Sequence, residues 1–283
     1  MLITVFIITG LAVFAYKGQV RYFFLFAGIG CATSAGEWLC ILFFKNRQVI
    51  RRTTQAVVGG TLFIFLSLYG NVNFQFMQIT FDFLAGVVTG ALIQFIIARL
   101  FLPFFIGNGF CSRACWDGAI FELIQDTIPK VKKAHKRSNR IAWSYFFGLI
   151  LIASIVASYC NPANMEHEPL KRFWNIGENI IIMSIGIGLS RFWGSRTYCR
   201  TFCPFISVSG LLSRFSIFKI TPVQPQKCTS CGKCNLACPM LVDVRSFVKA
   251  EKRITDKSCI VCEHCVDACP EECISLSPDM PWK

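Results

Sequence analysis

Cys228-Thr-Ser-Cys231-Gly-Lys-Cys234-Asn-Leu-Ala-Cys238-Pro239 and Cys259-Ile-Val-Cys262-Glu-His-Cys265-Val-Asp-Ala-Cys269-Pro270 are one pattern written twice. Each copy reads C-x2-C-x2-C-x3-C-P. In that spacing three cysteines of one tight loop reach three irons of a [4Fe–4S] cluster, and the fourth turns away to serve the other cluster. The expected ligand sets are Cys228, Cys231, Cys234 and Cys269 for the first cluster, and Cys259, Cys262, Cys265 and Cys238 for the second. A structural zinc site takes four ligands, commonly as two separated pairs, and fits eight thiols in this doubled spacing poorly. Two cubane clusters, and hence electron transfer, are the expected chemistry.

Outside this tail the chain is apolar. Over its 283 residues, 54% are hydrophobic and 28 are Phe, and the mean hydropathy is +0.51. That is far from a soluble average. Spans are expected near Val20–Phe44, Ala56–Gly70, Ile79–Ala98, Ile141–Cys160 and Ile176–Ser190, with the shorter Leu2–Tyr16 as a sixth. The leading Met-Leu-Ile-Thr has no basic run, so a cleaved signal is not expected. The expected fold is mainly α: a polytopic helical membrane domain of five or six spans over residues 1–220, with a small α+β two-cluster domain over residues 221–283. Thr221–Lys227, with two prolines, reads as the linker. Phe205–Phe218 reads as an amphipathic helix in the interface plane, and Trp143, Trp174 and Trp193 read as interface anchors.

Charge sets the expected topology. Lys45, Arg47, Arg51 and Arg52 fill one loop, and Arg113, Lys130, Lys132, Lys133, Lys136, Arg137 and Arg140 mark another. The positive-inside bias places both, and with them the tail, in the cytoplasm of a bacterial-type inner membrane. The net charge of +13 does not point to nucleic acid, because basic and acidic side chains balance in the tail and the whole excess lies in the apolar part. A topology signal beside anionic headgroups accounts for it. A reducing cytoplasm also keeps thiols available to iron.

A second constellation is repeated. Phe110-Cys111-Ser-Arg113-Ala-Cys115-Trp116 and Tyr198-Cys199-Arg200-Thr-Phe-Cys203-Pro204 each follow an expected span. Each has an aromatic residue before the first cysteine and an arginine between the pair. Each leads to an apolar pair at the same offset, Leu123-Ile124 and Leu211-Leu212. On one helix, i and i+4 share a face, so each pair would offer two thiols to one site. Repeated membrane halves place their site at the repeat interface. Cys111, Cys115, Cys199 and Cys203 are therefore expected to form a further iron–sulfur or metal site, with Arg113 and Arg200 favouring the thiolates.

Other carriers are not indicated. Cys259-Ile-Val-Cys262-Glu263-His264 misses a CxxCH motif by one position. His135, His167 and His264 all fall outside the spans, so haem is not expected. No G-x-G-x-x-G or P-loop points to flavin or nucleotide. Glu37 is the acid deepest in an expected span, where ionisable groups are costly. It is a candidate proton acceptor, with an ion pair to Arg99 as the alternative. Cys31 and Cys40 lie on opposite helix faces and read as packing residues, as do Cys160 and Cys273.

Membrane spans, two CxxxC segments and a tail of two ferredoxin runs, with the phrase Ala237-Cys238-Pro239-Met240-Leu241-Val242-Asp243-Val244, resemble the NapH-type membrane polyferredoxins. That group is related to the membrane parts of NosR and CcoG. It typically reads CxxxCP at both segments. Cys203-Pro204 matches, whereas Cys115 is followed by Trp116. The resemblance implies a quinol dehydrogenase subunit that draws on the quinol/quinone pool in a lipid membrane and passes electrons to a partner redox protein or reductase. The CcoG likeness implies an alternative, a copper-reducing assembly factor for a respiratory oxidase in which soft thiolates hold Cu(I).

Overall fold

A computed structural model describes residues 2–18, 20–43, 47–70, 72–84, 86–124, 138–159 and 168–278. Cys160, His135, His167, Lys45 and the basic residues Lys130, Lys132, Lys133, Lys136 and Arg137 lie outside them. Long apolar runs become helices α1 (Leu2–Lys17), α2 (Val20–Leu42) and α3 (Arg47–Leu62), the last continuing as a π-helix over Phe63–Tyr69. Next come α4 (Phe76–Leu84), α5 (Gly90–Phe95), a π-helix over Ile96–Phe101 and α6 (Pro103–Ile106). Two short helices, α7 (Gly109–Arg113) and α8 (Trp116–Leu123), precede the long α9 (Ser138–Tyr159) and α10 (Glu168–Trp193). The short pair α11 (Thr197–Thr201) and α12 (Pro204–Leu212) then repeats the pattern.

Two of these helices are long and apolar enough to cross a bilayer, within Phe23–Leu42 and Arg140–Tyr159, and Gly90–Ile106 is a shorter apolar helical run. The sequence had pointed to five or six. One expected span, Ile79–Ala98, is broken in the middle. Gly86 turns into the left-handed region at φ +66, and Val87 N donates to Asp82 O at 3.0 Å. Thr89 then caps α5 by accepting from Leu92 N, and its hydroxyl donates to Asp82 Oδ2 at 2.5 Å. The expected Ala56–Gly70 span is also corrected. Its helix starts at Arg47, so most of the basic loop is a helical first turn and a half.

The tail is a pair of pseudo-equivalent cysteine loops on a two-stranded sheet. Strand β1 (Phe218–Pro222) pairs antiparallel with β2 (Ile274–Pro278), Ile220 opposite Leu276. Thr221 and Pro222, expected in a linker, are therefore strand residues. Helices α13 (Lys233–Ala237), α14 (Val244–Lys249) and α15 (His264–Asp267) fill the intervening chain. The loops share their turns. Ser230, Gly232 and Leu241 have positive φ, and so do Val261, Glu263 and Glu272 at the matching positions.

The tail does not hang free. Phe121, Ile182 and Tyr198 of the helical part share one buried apolar cluster with Ile220, Met240, Val244 and Ile260 of the tail. Helix α12 is buried as well, through Phe205, Ile206 and Ser209. It packs inside the molecule rather than lying in an interface plane.

Candidate functional site

The two CxxxC segments fold into the same hook. Cys111 sits in α7 and Cys199 in α11, and each short helix ends two residues later. Ala114 N and Cys115 N both donate to Phe110 O, at 3.0 and 3.1 Å, while Phe202 N and Cys203 N both donate to Tyr198 O, at 2.8 and 2.9 Å. The second cysteine of each pair then caps the following helix in extended conformation, Cys115 at φ −71, ψ 123 and Cys203 at φ −64, ψ 112. The expectation of one continuous helical face per pair is thus corrected to a helix break between the two thiols. Trp116 occupies the first helical position that Pro204 fills in the other copy, so the missing proline does not change the turn.

The hooks bring the four thiols into one neighbourhood. Cys199 lies within electrostatic reach of Cys203, Cys115 and Cys111, and Cys203 within reach of Cys111 and Cys115. The amides of Gly118 and Ile206, in the first turns of α8 and α12, donate to the Cys115 and Cys203 sulfurs. Arg196 and Arg200 lie within electrostatic reach of Cys199, but the arginine in contact with the sulfurs of the first hook is not Arg113. It is Arg99, buried at 5% exposure, with Nη1 2.9 Å from Cys111 Sγ and Nη2 3.7 Å from Cys115 Sγ. Its guanidinium lies over the Phe110 and Phe205 rings, at 4.7 and 4.9 Å from their centroids. Burial, against the pull of Arg99, pushes the Cys115 thiol up to about 11 and the Cys203 thiol up to about 12. Metal-free, these are protonated thiols rather than activated thiolates, and a bound metal would be what drives the protons off.

Glu37 is paired, but with Arg113 rather than Arg99: Arg113 Nε lies 2.5 Å from Glu37 Oε1. Arg113 reaches onward from the first hook to the tail, donating to Val261 O at 2.9 Å and pairing with Glu263 Oε1 at 2.9 Å. Ser112 Oγ donates to Ile260 O at 2.8 Å and Asn108 Nδ2 to Lys257 O at 2.9 Å. Three side chains of the first hook region thus grip the backbone around Cys259.

Charges complete the clamp. Arg47 and Arg51, one turn apart on α3, face Glu263 and Asp267, one turn apart at α15. Arg51 is 2.7 Å from Glu263 Oε2 and 3.4 Å from Asp267 Oδ2, and Arg47 is 3.5 and 3.3 Å from the same two acids. Gln48 also bonds Asp267. A second buried group joins Glu122 to Arg196 at 2.5 Å, to His264 at 3.2 Å and to Arg52 at 3.5 Å. Burial alone would raise the Glu122 carboxyl, but Arg196 and His264 overcome it and hold Glu122 well below its ordinary 4.5. Sequence reading missed Arg196 and Glu122, and took Arg47 and Arg51 for topology signals. The readable clue was the matched i, i+4 spacing of Arg47/Arg51 and Glu263/Asp267.

In the tail, Cys234 lies in electrostatic reach of Cys269 and Cys228. Cys238 reaches across to Cys259 and Cys262 to Cys238, while Cys265 faces Cys262, Cys259 and Cys238. The fourth cysteine of each run therefore sits with the other run. Cys231 is the exposed member at the rim. Cys273 is buried, 3.2 Å from Cys269 Sγ, as a neighbouring thiol. Backbone amides turn toward the sulfurs: Val242 N donates to Cys238 Sγ at 3.4 Å, and the Val261 and His264 amides serve Cys259 and Cys262. Among the described residues, no three metal-binding side chains converge closely enough for a single ion. An all-thiol donor set and N–H···S bonds fit iron–sulfur cubes.

Comparison with known proteins agrees. A 4Fe-4S dicluster domain matches residues 221–270. A 4Fe-4S binding domain matches twice, at residues 87–136 and 177–221, once around each hook. An uncharacterised protein of Methanocaldococcus jannaschii is 26% identical over 81% of this chain and 95% of its own length. YccM of Escherichia coli, whose name describes an electron transport protein, is 24% identical over 82% of this chain and 67% of its own length. The ferredoxin-type protein NapH of Escherichia coli is 24% identical over 59% of this chain and 61% of its own length. No solved structure matches. With iron–sulfur domains matched at the tail and at both hooks, and with these relatives, the chain is an iron–sulfur electron-transfer protein of ferredoxin type, similar to the NapH-type polyferredoxins.

Proposed function

We propose that this chain is the quinol-oxidising membrane subunit of a respiratory pathway, passing electrons to a partner redox protein. The observation that carries the reading is the contact between the first CxxxC hook and the Cys259–Cys265 loop, made by Asn108, Ser112 and Arg113. A relay from a lipid-soluble donor to a ferredoxin tail needs the two thiol sites side by side. The ligand sets are Cys228, Cys231, Cys234 and Cys269 for one tail cluster, and Cys259, Cys262, Cys265 and Cys238 for the other. When bound, the clusters supply one-electron carriers. Cys111, Cys115, Cys199 and Cys203 form the redox site at the membrane boundary. The chain's own residues hold the sites in register, through the Arg47/Arg51 clamp and the Glu122–Arg196 pair.

Quinol gives up two electrons and two protons on becoming quinone. Glu37 stands near this boundary and takes a proton only by leaving Arg113. The membrane domain is multi-pass over residues 1–220, with residues 221–283 as a cytoplasmic tail. The apolar helices, the basic loops and the likeness to NapH support this orientation. Two experiments test the reading. A reporter active only outside the cytoplasm, fused after Lys283, is expected to stay silent, and strong activity inverts the topology. Cys199→Ser or Cys203→Ser is expected to abolish quinol-linked reduction of the tail while both tail clusters assemble. Normal reduction in the Cys111/Cys115/Cys199/Cys203 quadruple serine variant would sink the relay.

A further inference from the structure

The charge of the tail is divided between its two runs. Residues 221–253 hold six Lys or Arg against Asp243 and Glu251, while residues 254–283 hold two against six acids. Two acids of the second run turn inward: Glu263 and Asp267 are engaged by Arg47 and Arg51, and Glu263 by Arg113 as well. The basic side chains of the first run turn outward. Lys227, Lys233, Arg245 and Lys249 are all exposed. Asp243 stands among them as the cap of α14, within electrostatic reach of Arg245. One carboxylate against four cations leaves that face positive.

The same face carries the way out for an electron. Cys231 is exposed, whereas Cys259, Cys262, Cys265 and Cys238 are not. Electron tunnelling falls steeply with distance, so a soluble acceptor must meet the cluster whose ligand reaches the surface. Lys233 stands within electrostatic reach of Cys231. Asn235 ties α13 to α14: its side-chain amide donates to Asp243 Oδ1 at 2.6 Å, and its Oδ1 accepts from Arg245 N at 2.9 Å. Arg245 therefore stands beside α13, with Lys249 one turn further along the exposed side of α14. Leu236 of α13 is 69% exposed in this setting. An apolar side chain among solvated charges is the make-up of a docking patch.

We propose that the first-run face is the electron exit port and docks a soluble redox protein with an acidic face around its own centre. This names the class of the partner in the quinol reading above and rests on that reading's direction of flow. One electron leaves the tail at the first run and reduces the partner's centre by one. No bond is made or broken and no proton moves. Opposite charge steers the encounter and raises its rate, and like charge turns a basic carrier away. Redox encounters of this kind bury little surface, so steering by Lys227, Lys233 and Arg245 sets the choice of partner.

The test uses the whole protein in detergent, reduced with dithionite and desalted, so that neither quinol nor the hooks take part. Ferric rubredoxin, a small acidic iron protein, and ferric cytochrome c, a small basic haem protein, serve as acceptors in stopped flow. Rubredoxin reduction is expected to slow as salt rises, and cytochrome c reduction to speed up. In the Lys227→Glu/Lys233→Glu/Arg245→Glu variant the rubredoxin rate is expected to drop about tenfold or more, with the EPR signals of the tail unchanged. The matching triple Gln variant, gentler on the fold, is expected to fall between. Carbodiimide, which joins amines to carboxylates, is expected to cross-link rubredoxin to Lys227 or Lys233 of the unreduced protein. Rubredoxin rates that ignore both salt and the Gln variant, or cross-links that map elsewhere, overturn the port. So does a rubredoxin reaction seen in detergent and lost in nanodiscs of phosphatidylglycerol, which would give the basic face to lipid. A tail that no quinol reduces, yet that passes electrons to rubredoxin through these cations, removes the quinol reading and leaves the port standing.

Discussion

The two cysteine runs of the tail are near-copies in sequence and opposites in surroundings. The second run is sealed: Cys265 and Glu263 are buried, three arginines hold Glu263, and first-hook side chains bond the Ile260 and Val261 carbonyls. The first run faces outward, with Cys231 exposed and no buried residue in its helix α13. The difference is visible at one backbone position. Between the second and third cysteines both runs need a left-handed residue. The first uses Gly232 at φ +75, and the second uses Glu263 at φ +62. A non-glycine residue there costs roughly 1–2 kcal/mol, and the Arg47, Arg51 and Arg113 contacts offset it. One spacing therefore yields an inward-facing terminal and an outward-facing one, and charge on a neighbouring helix decides which is which.

The comparison breaks most visibly if the fourth cysteines are exchanged in role. Cys238→Ala is expected to remove the cluster of the second run and leave the first, and Cys269→Ala the reverse. Mössbauer or EPR spectra in which each variant loses its own run's cluster would contradict the crossed sets.

Next in size is the clamp. Glu263→Gly relieves the backbone and empties the arginine site. Arg47 and Arg51 keep Asp267 and Arg113 keeps Glu37, but all three lose their shared carboxylate, so the loop should open more often than in the native protein. Hydrogen exchange should rise across the Cys259–Cys265 segment and stay unchanged across Cys228–Cys234. Equal change in both segments would mean that the runs are not differently held.

Acid acts on the same face. The Glu122 carboxyl sits below its ordinary 4.5 in the folded protein. Its stabilisation is therefore complete above that value and is lost as pH falls below it toward the folded-state value. Unfolding midpoints of the native protein should drop faster between about pH 4.5 and 3 than those of Glu122→Gln. Parallel curves would remove Glu122 from the clamp. Smallest of all, Lys233→Gln, exposed beside Cys231, should move stability by less than about 0.5 kcal/mol, measured by denaturant titration. A larger loss would show the first run to be supported too.

The sequence made some of this legible and hid the rest for physical reasons. Thiol spacing named the tail cysteines, because iron geometry dictates local spacing. The repeat exposed both hooks, although their helix break was invisible: i, i+4 spacing survives in a turn where two amides share one carbonyl. The interruption of Ile79–Ala98 was hidden because Gly86 and Thr89 sit in a run that stays apolar on average. Arg47 and Arg51 satisfy a topology count and a docking site equally well, and only the facing acids distinguish them. Arg99 was visible as a charge beside a span, yet its contact with the Cys111 and Cys115 sulfurs depends on how the first hook folds back.

The seal over the second run also bears on how each site exchanges iron. Cys265, Glu263, Ile260 and Val261 of the second run are buried beside α3 and the first hook, whereas Cys231 at the rim of the first run is exposed. The expected consequence is that a cluster at the inner site exchanges iron more slowly than one at the outer site. A pulse of labelled iron given after assembly should enter the first run faster than the second.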